Sequence, residues 1–108
     1  MLPATVRIFV CTTPQDMRRS FDGLALAARQ VVGEDPQSGA LFVFLGTRRT
    51  RMKVLWWDRN GYCLLYKRLH RALFEFPRSV DKSPLVRIDP QQLAALLQGV
   101  ARSDRRIR

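Results

Sequence analysis

The chain has one histidine, His70, in 108 residues. A histidine-based proton relay or metal centre therefore has one member at most to draw on. Cysteines number two, Cys11 and Cys63, with no second thiol near either. That excludes a four-ligand zinc site and a disulfide framework. The six glycines are scattered, so no phosphate-cradling loop is present. No apolar run approaches the roughly 18 residues of a membrane span. The start, Met1-Leu-Pro-Ala-Thr-Val-Arg7, lacks the basic-then-apolar pattern of a signal peptide, so the cytosol is the expected compartment. The length leaves no room for a Rossmann domain with a substrate domain, or for a nuclease with inserted lobes.

Acidic residues are also scarce: nine against 19 Lys and Arg, a formal net charge of +10. An excess of this size in so small a chain points to a polyanionic partner. The charge is not spread evenly. Residues 1–46 and 72–101 are each neutral, residues 47–71 carry +7 and residues 102–108 carry +3. Clustered cations add their fields within a Debye length of about 8–10 Å, as a docking surface requires. A solubilising surface is the plainer alternative.

Periodicity outlines a single α+β domain over residues 1–101, with a basic, disordered tail over 102–108. Thr5–Thr12 is β-branched and reads as a strand. Thr13-Pro14-Gln15-Asp16 reads as a helix start, followed by an apolar stripe from Met17 to Val32. Gly23 within it marks either close packing or a break into two short helices. Leu41–Leu45 reads as a central strand. Arg51–Trp57 and Tyr62–Leu69 read as a hairpin closed by a type I turn with a glycine bulge at Asp58-Arg59-Asn60-Gly61. Residues 70–84 read as irregular. Leu85–Ile88 is a short strand, and Asp89 caps a last helix with its stripe at Leu93, Leu96, Leu97 and Val100. The expected architecture is a small antiparallel sheet of four to five strands with two helices packed on one face.

The hairpin is the candidate surface. Alternation puts Met52, Val54 and Trp56 on one face of its first strand and Arg51, Lys53, Leu55 and Trp57 on the other. The glycine-bulge register adds Leu65 and Lys67 to the Lys53 face, with Arg48 and Arg49 just beyond its basic end. Arg68 and Arg71 follow. Cations neutralise phosphates and exposed aromatics stack on unpaired bases. The competing reading makes both tryptophans core residues and the cations edge protection. His70 reads as a surface residue, and both cysteines as small apolar packing groups. Asp16, Asp22 and Asp58 are better explained by caps, an Arg18 pair and the turn than by a metal site. No catalytic residue, metal or cofactor is expected.

Several segments match one family in fixed order. Asp16-Met17-Arg18-Arg19-Ser20-Phe21-Asp22-Gly23-Leu24 resembles its DMR-x-(G/S)-FDGL motif. Lys53, Leu55, Trp56-Trp57-Asp58 and Gly61 resemble K-x-L-x-WD-x-x-G, and Lys67-Arg68-Leu69 resembles KRL. Asp89-Pro90-Gln91-Gln92-Leu93 and Leu96-Leu97-Gln98-Gly99 resemble its closing motif. The family is the TnpB-type accessory protein, the second open reading frame of insertion-sequence-66 elements. It is distinct from the much longer RNA-guided nucleases that share the name. His70 stands where the family often has Glu. The resemblance implies a bacterial protein of transposition that works beside a separate, larger transposase. DNA and that transposase are the expected partners. An adaptor between proteins and a small nuclease are the alternatives.

Overall fold

The computed structural model describes residues 5–79 and 81–101; the expected tail at 102–108 lies outside them. The fold is α+β, as the periodicity indicates. Five strands form one sheet in the order β4-β3-β2-β1-β6. They are β1 (Ile8–Cys11), β2 (Leu41–Leu45), β3 (Arg51–Asp58), β4 (Gly61–Arg68) and β6 (Leu85–Ile88). The short β5 (Ala72–Leu73) pairs with β7 (Val100–Ala101) inside segments that the sequence left without strands.

The sheet is mixed rather than wholly antiparallel. β1 and β2 run parallel, with Val10 beside Val43. Between them lies α1 (Phe21–Ala27), continued by a π-helical turn at Ala28–Val32, which makes the unit a β-α-β crossover. The other neighbours in the sheet are antiparallel. Both faces are covered, which explains why β1 and β2 are buried at every position. Ile8, Val10, Val43 and Val54 pack with Leu93 and Leu96 of α2 (Pro90–Gln98). Phe9, Cys11, Phe42 and Phe44 pack with Leu24, Ala27 and Ala28. The two helices therefore sit on opposite faces, not on one. Odd and even positions of the same strands serve two separate clusters.

The first helix begins later than its apolar stripe implies. Residues 13–20 form an irregular loop because their polar groups find other partners. Gln15 N–H donates to the Leu45 carbonyl at 2.9 Å. The Asp16 carboxylate accepts from the Arg18 N–H at 2.9 Å, a local bond that competes with a helical turn. The α-helix starts at Phe21, and the π-helical turn that continues it is closed by Gly33, whose φ of 83° suits glycine. Its N–H donates to the Ala28 carbonyl. Gly23 is a close-packing site: a Cβ there would lie 3.2 Å from the Arg19 side chain.

The second helix is capped as its sequence indicates. Asp89 accepts from the Gln92 N–H at 2.7 Å, and the Gln92 side chain accepts from the Asp89 N–H at 2.9 Å. This reciprocal box satisfies two otherwise orphan donors. At the other end, Lys67 Nζ reaches across from β4 and donates to the Leu97 carbonyl at 2.7 Å. An ammonium there also complements the helix dipole. Asp89→Ala is expected to lower unfolding free energy by about 1 kcal/mol with the fold retained. Chemical denaturation followed by circular dichroism measures it; an unchanged midpoint would show that the box contributes nothing.

Candidate nucleic-acid interface

The hairpin register decides which side chains share a face. Asp58 pairs with Gly61, Trp57 with Tyr62, Lys53 with Tyr66 and Arg51 with Arg68. Only Arg59 and Asn60 lie in the turn, and Arg59 takes a φ of 60°. The glycine-bulge turn expected from Asp58 and Gly61 would have placed Asp58 opposite Tyr62. That one-residue difference flips every β4 side chain to the other face. Leu64 and Tyr66 thus join the α1 side, while Leu65 and Lys67 leave the Lys53 face.

Two lysines counted as surface cations point inward. Lys53 is 6% exposed. Its Nζ donates to the Arg19 carbonyl at 2.6 Å and lies 4.6 Å from the centre of the Tyr66 ring. A buried ammonium is tolerable only with such partners. Lys67 is half-buried and engaged at Leu97. All six arginines of the basic block stay exposed: Arg48, Arg49, Arg51, Arg59, Arg68 and Arg71.

Four of them converge. An open cleft of about 870 Å³ is lined by Arg48, Arg49, Arg51 and Arg68 together with Arg18 and His70. The loop over residues 13–20 forms one wall and the β2–β3 connection the other. The walls meet where Met17 packs on Gly46, and a Cβ on Gly46 would fall 2.8 Å from Met17 Cγ. The β2–β3 connection is held in place by main-chain bonds. Phe74 N–H donates to the Arg49 carbonyl at 2.7 Å and Leu69 N–H to the Thr50 carbonyl at 2.8 Å. Arg49 takes a φ of 61°, uncommon for a residue with a Cβ.

Asp16 is the carboxylate lining this cleft, and it is already engaged. Arg18 Nη2 lies 2.7 Å from Asp16 Oδ2, and Arg18 Nε donates to the same carboxylate. These hydrogen bonds hold the Asp16 carboxyl at about 2, below the usual carboxylate range, and raise the Arg18 guanidinium. Among the described residues, the other ion pair joins Arg29 to Asp35 at 3.9 Å. The guanidiniums of Arg48, Arg49, Arg51 and Arg68 have no carboxylate within salt-bridge distance among them.

The remaining singled-out residues scatter. Trp56 is half-buried against the α2-side core. Trp57 is half-buried too, edge-on to Tyr62 with ring centres 5.0 Å apart. It sits at the turn end of the hairpin, beside Asp58 and Gly61 and away from the cleft. Phe21 and Asp22 are exposed at the start of α1. Cys11 is buried, which pushes its thiol up despite hydrogen bonds to Thr13 and Gln15. No three His, Cys, Asp or Glu side chains are grouped to hold a metal ion among the described residues. No helix among them is long and apolar enough to cross a membrane. Sequence reasoning missed the cleft itself and Tyr66, since both depend on the loop at 13–20 and on the register.

Comparison with known proteins agrees with the motifs. The family model described as IS66 Orf2-like protein matches residues 6–106. The chain belongs to the IS66 Orf2-like family. Two curated relatives come from Sinorhizobium fredii (strain NBRC 101917 / NGR234). The uncharacterized protein y4hO is 40% identical over 102 residues, covering 93% of this chain and 87% of the relative. The uncharacterized protein y4jC is 33% identical over 95 residues, covering 88% and 80% respectively. No solved structure matches. Membership in the IS66 Orf2-like family associates the chain with an accessory role in insertion-sequence transposition.

The two kinds of cation separate on mutation. Lys53→Glu would bury a carboxylate against the Arg19 carbonyl oxygen, and is expected to destabilise the fold by about 3 kcal/mol or more. Arg48→Glu, on the exposed loop, is expected to stay within about 0.5 kcal/mol of the parent. Denaturant unfolding of both variants checks this. Equal small effects would mean that Lys53 is not held as described.

Proposed function

We propose that this protein is a non-catalytic accessory factor of transposition whose arginine-lined cleft grips the phosphate backbone of DNA at the element ends. The observation that carries the reading is the convergence of Arg48, Arg49, Arg51 and Arg68 on one open cleft, free of carboxylate partners among the described residues. Guanidinium forks match phosphate oxygens, and an unneutralised cluster of them favours a polyanion over an ordinary acidic side chain. The working partner is the separate transposase, in the cytoplasm. Relative to the hairpin alone, the cleft redraws the surface. Arg18 enters it, Lys53 and Lys67 serve the fold, and Trp57 lies outside it. Arg71 flanks it on the chain after β4.

A salt titration tests the proposal. Four phosphate contacts give a slope of log affinity against log salt of about −3 to −4 on duplex DNA. Arg48→Glu with Arg68→Glu is expected to weaken binding by more than tenfold and to flatten that slope by about 2. Melting should not fall, since replacing Arg68 removes a like-charge cross-strand pair with Arg51. Affinity that does not vary with salt would overturn the phosphate mechanism. Comparing element ends with random duplex, with and without transposase, separates specific from general binding.

An adaptor role has its own support. Phe21 and Leu26 on α1 are 44% and 49% exposed and offer apolar contacts to a protein partner. A transposase pull-down that survives nuclease treatment and fails with Phe21→Ser would favour that reading. The nuclease alternative has the least to draw on, because Asp16 is held by Arg18.

A further inference from the structure

Next to the cleft, Arg51, Tyr66 and Arg68 line a second depression of about 290 Å³ on the α1 side of the hairpin. Arg51 and Arg68 are direct cross-strand partners. Like charges in that position repel each other and weaken the pairing. Neither has a carboxylate partner among the described residues. An anion between the two guanidiniums removes the repulsion. Tyr66 is their neighbour on the same face, and half of it is open to solvent.

The ring is also held in position before anything binds. Its hydroxyl oxygen lies 3.3 Å from Arg51 Nη1, which donates to it. The buried Lys53 ammonium lies 4.6 Å from the ring centre. An exposed aromatic fixed at both its tip and its ring loses little freedom when a ligand covers it. An open aromatic face beside two arginines that lack carboxylate partners among the described residues has the parts of a stacking platform for single strands.

We propose that Arg51, Arg68 and Tyr66 form a subsite for one unpaired nucleotide, with the phosphate between the guanidiniums and the base stacked on Tyr66. The inference rests on the nucleic-acid reading of the cleft and narrows it to strands with unpaired bases. In a continuous duplex each base face is covered by its neighbours, so Tyr66 has nothing to stack on. Frayed or displaced strands expose such faces.

The test compares binding of the full-length protein to labelled oligothymidine, to oligouridine of equal length and to a duplex of the same length, at one fixed salt concentration. The parent protein should bind a single strand more tightly than the duplex. Tyr66→Ala should lose about 5- to 100-fold on the single strand and change little on the duplex. Tyr66→Phe should bind like the parent. Tyr66→Leu, which keeps an apolar cover over Lys53 without an aromatic face, should behave like Tyr66→Ala and guards against an unfolded alanine variant. The oligouridine arm shows whether ribose strands are accepted too; a Tyr66-dependent loss on either oligonucleotide supports the subsite. A parent preference for duplex, an equal loss on both forms, or a loss with Tyr66→Phe as large as with Tyr66→Ala would overturn it. If neither the duplex nor a single strand binds, the cleft reading fails as well. If duplex binding persists and Tyr66→Ala is silent, only the subsite fails.

Discussion

The bond from the Lys53 ammonium to the Arg19 carbonyl ties a loop that is neither helix nor strand to the middle of a long strand. A carbonyl at a helix approach has no intrahelical partner of its own, and here it receives a charged donor in a nearly dry setting. The consequence extends beyond one bond. Arg19 closes the segment that contains Asp16, Met17 and Arg18, and that segment is one wall of the cleft. The wall is fixed from the other side by the Gln15 main-chain bond to Leu45 and by Met17 seated on Gly46. Three anchors, on β2, β3 and the connection between them, hold the irregular loop against the sheet. Family motifs far apart in sequence thereby come together in space: the aspartate-arginine segment near residue 16, the lysine at 53 and the arginine at 68.

Much of the fold could be read from residue pattern alone, because it rests on periodicity. The strands at Ile8, Leu41, Arg51, Gly61 and Leu85, and the capping box at Asp89, follow from β-branched runs and from Asp and Gln three residues apart. The errors came where short-range chemistry competes closely. Asp58 and Gly61 fit a glycine-bulge turn on paper, but the chain closes in two residues, with Arg59 at positive φ. Composition cannot separate those closures, and the difference moved Tyr66 to the arginine side and Lys67 away from it. Thr13-Pro14 looks like a helix start, yet Asp16 prefers the Arg18 N–H and guanidinium. The placement of the helices was beyond pattern altogether. Buried runs such as Leu41–Leu45 state that both faces are covered, but not which helix covers which.

The candidate site was half legible for the same reason. Charge counting located the block at residues 47–71, and four of its arginines do meet in the cleft. Counting could not tell a lysine that neutralises phosphate from one that satisfies a backbone carbonyl. Here the two lysines of the block do the latter, and the six arginines remain outside. The division has a physical basis. A lysine carries a compact ammonium on a flexible stem and can reach a single buried acceptor, as at Arg19 and Leu97. A guanidinium has five donors in a plane, which one carbonyl cannot satisfy, so burying it beside such a partner costs more.

That division also bears on why the exposed charge persists. Cations crowded along one cleft repel each other, and the folded chain gains stability if they are replaced or paired. Arg18 is paired, with Asp16. Arg51 and Arg68 are not paired with a carboxylate among the described residues, although they stand opposite each other across two strands where a glutamate at either position would attract its partner. A merely solubilising surface has no need of that arrangement, since charges spread over the neutral segments would serve as well at lower repulsion. Under the proposed function, a polyanion in the cleft would offset that repulsion. The cleft, its unbalanced arginines and the tyrosine fixed beside them are therefore parts of one feature, whose geometry depends on the buried lysine behind it.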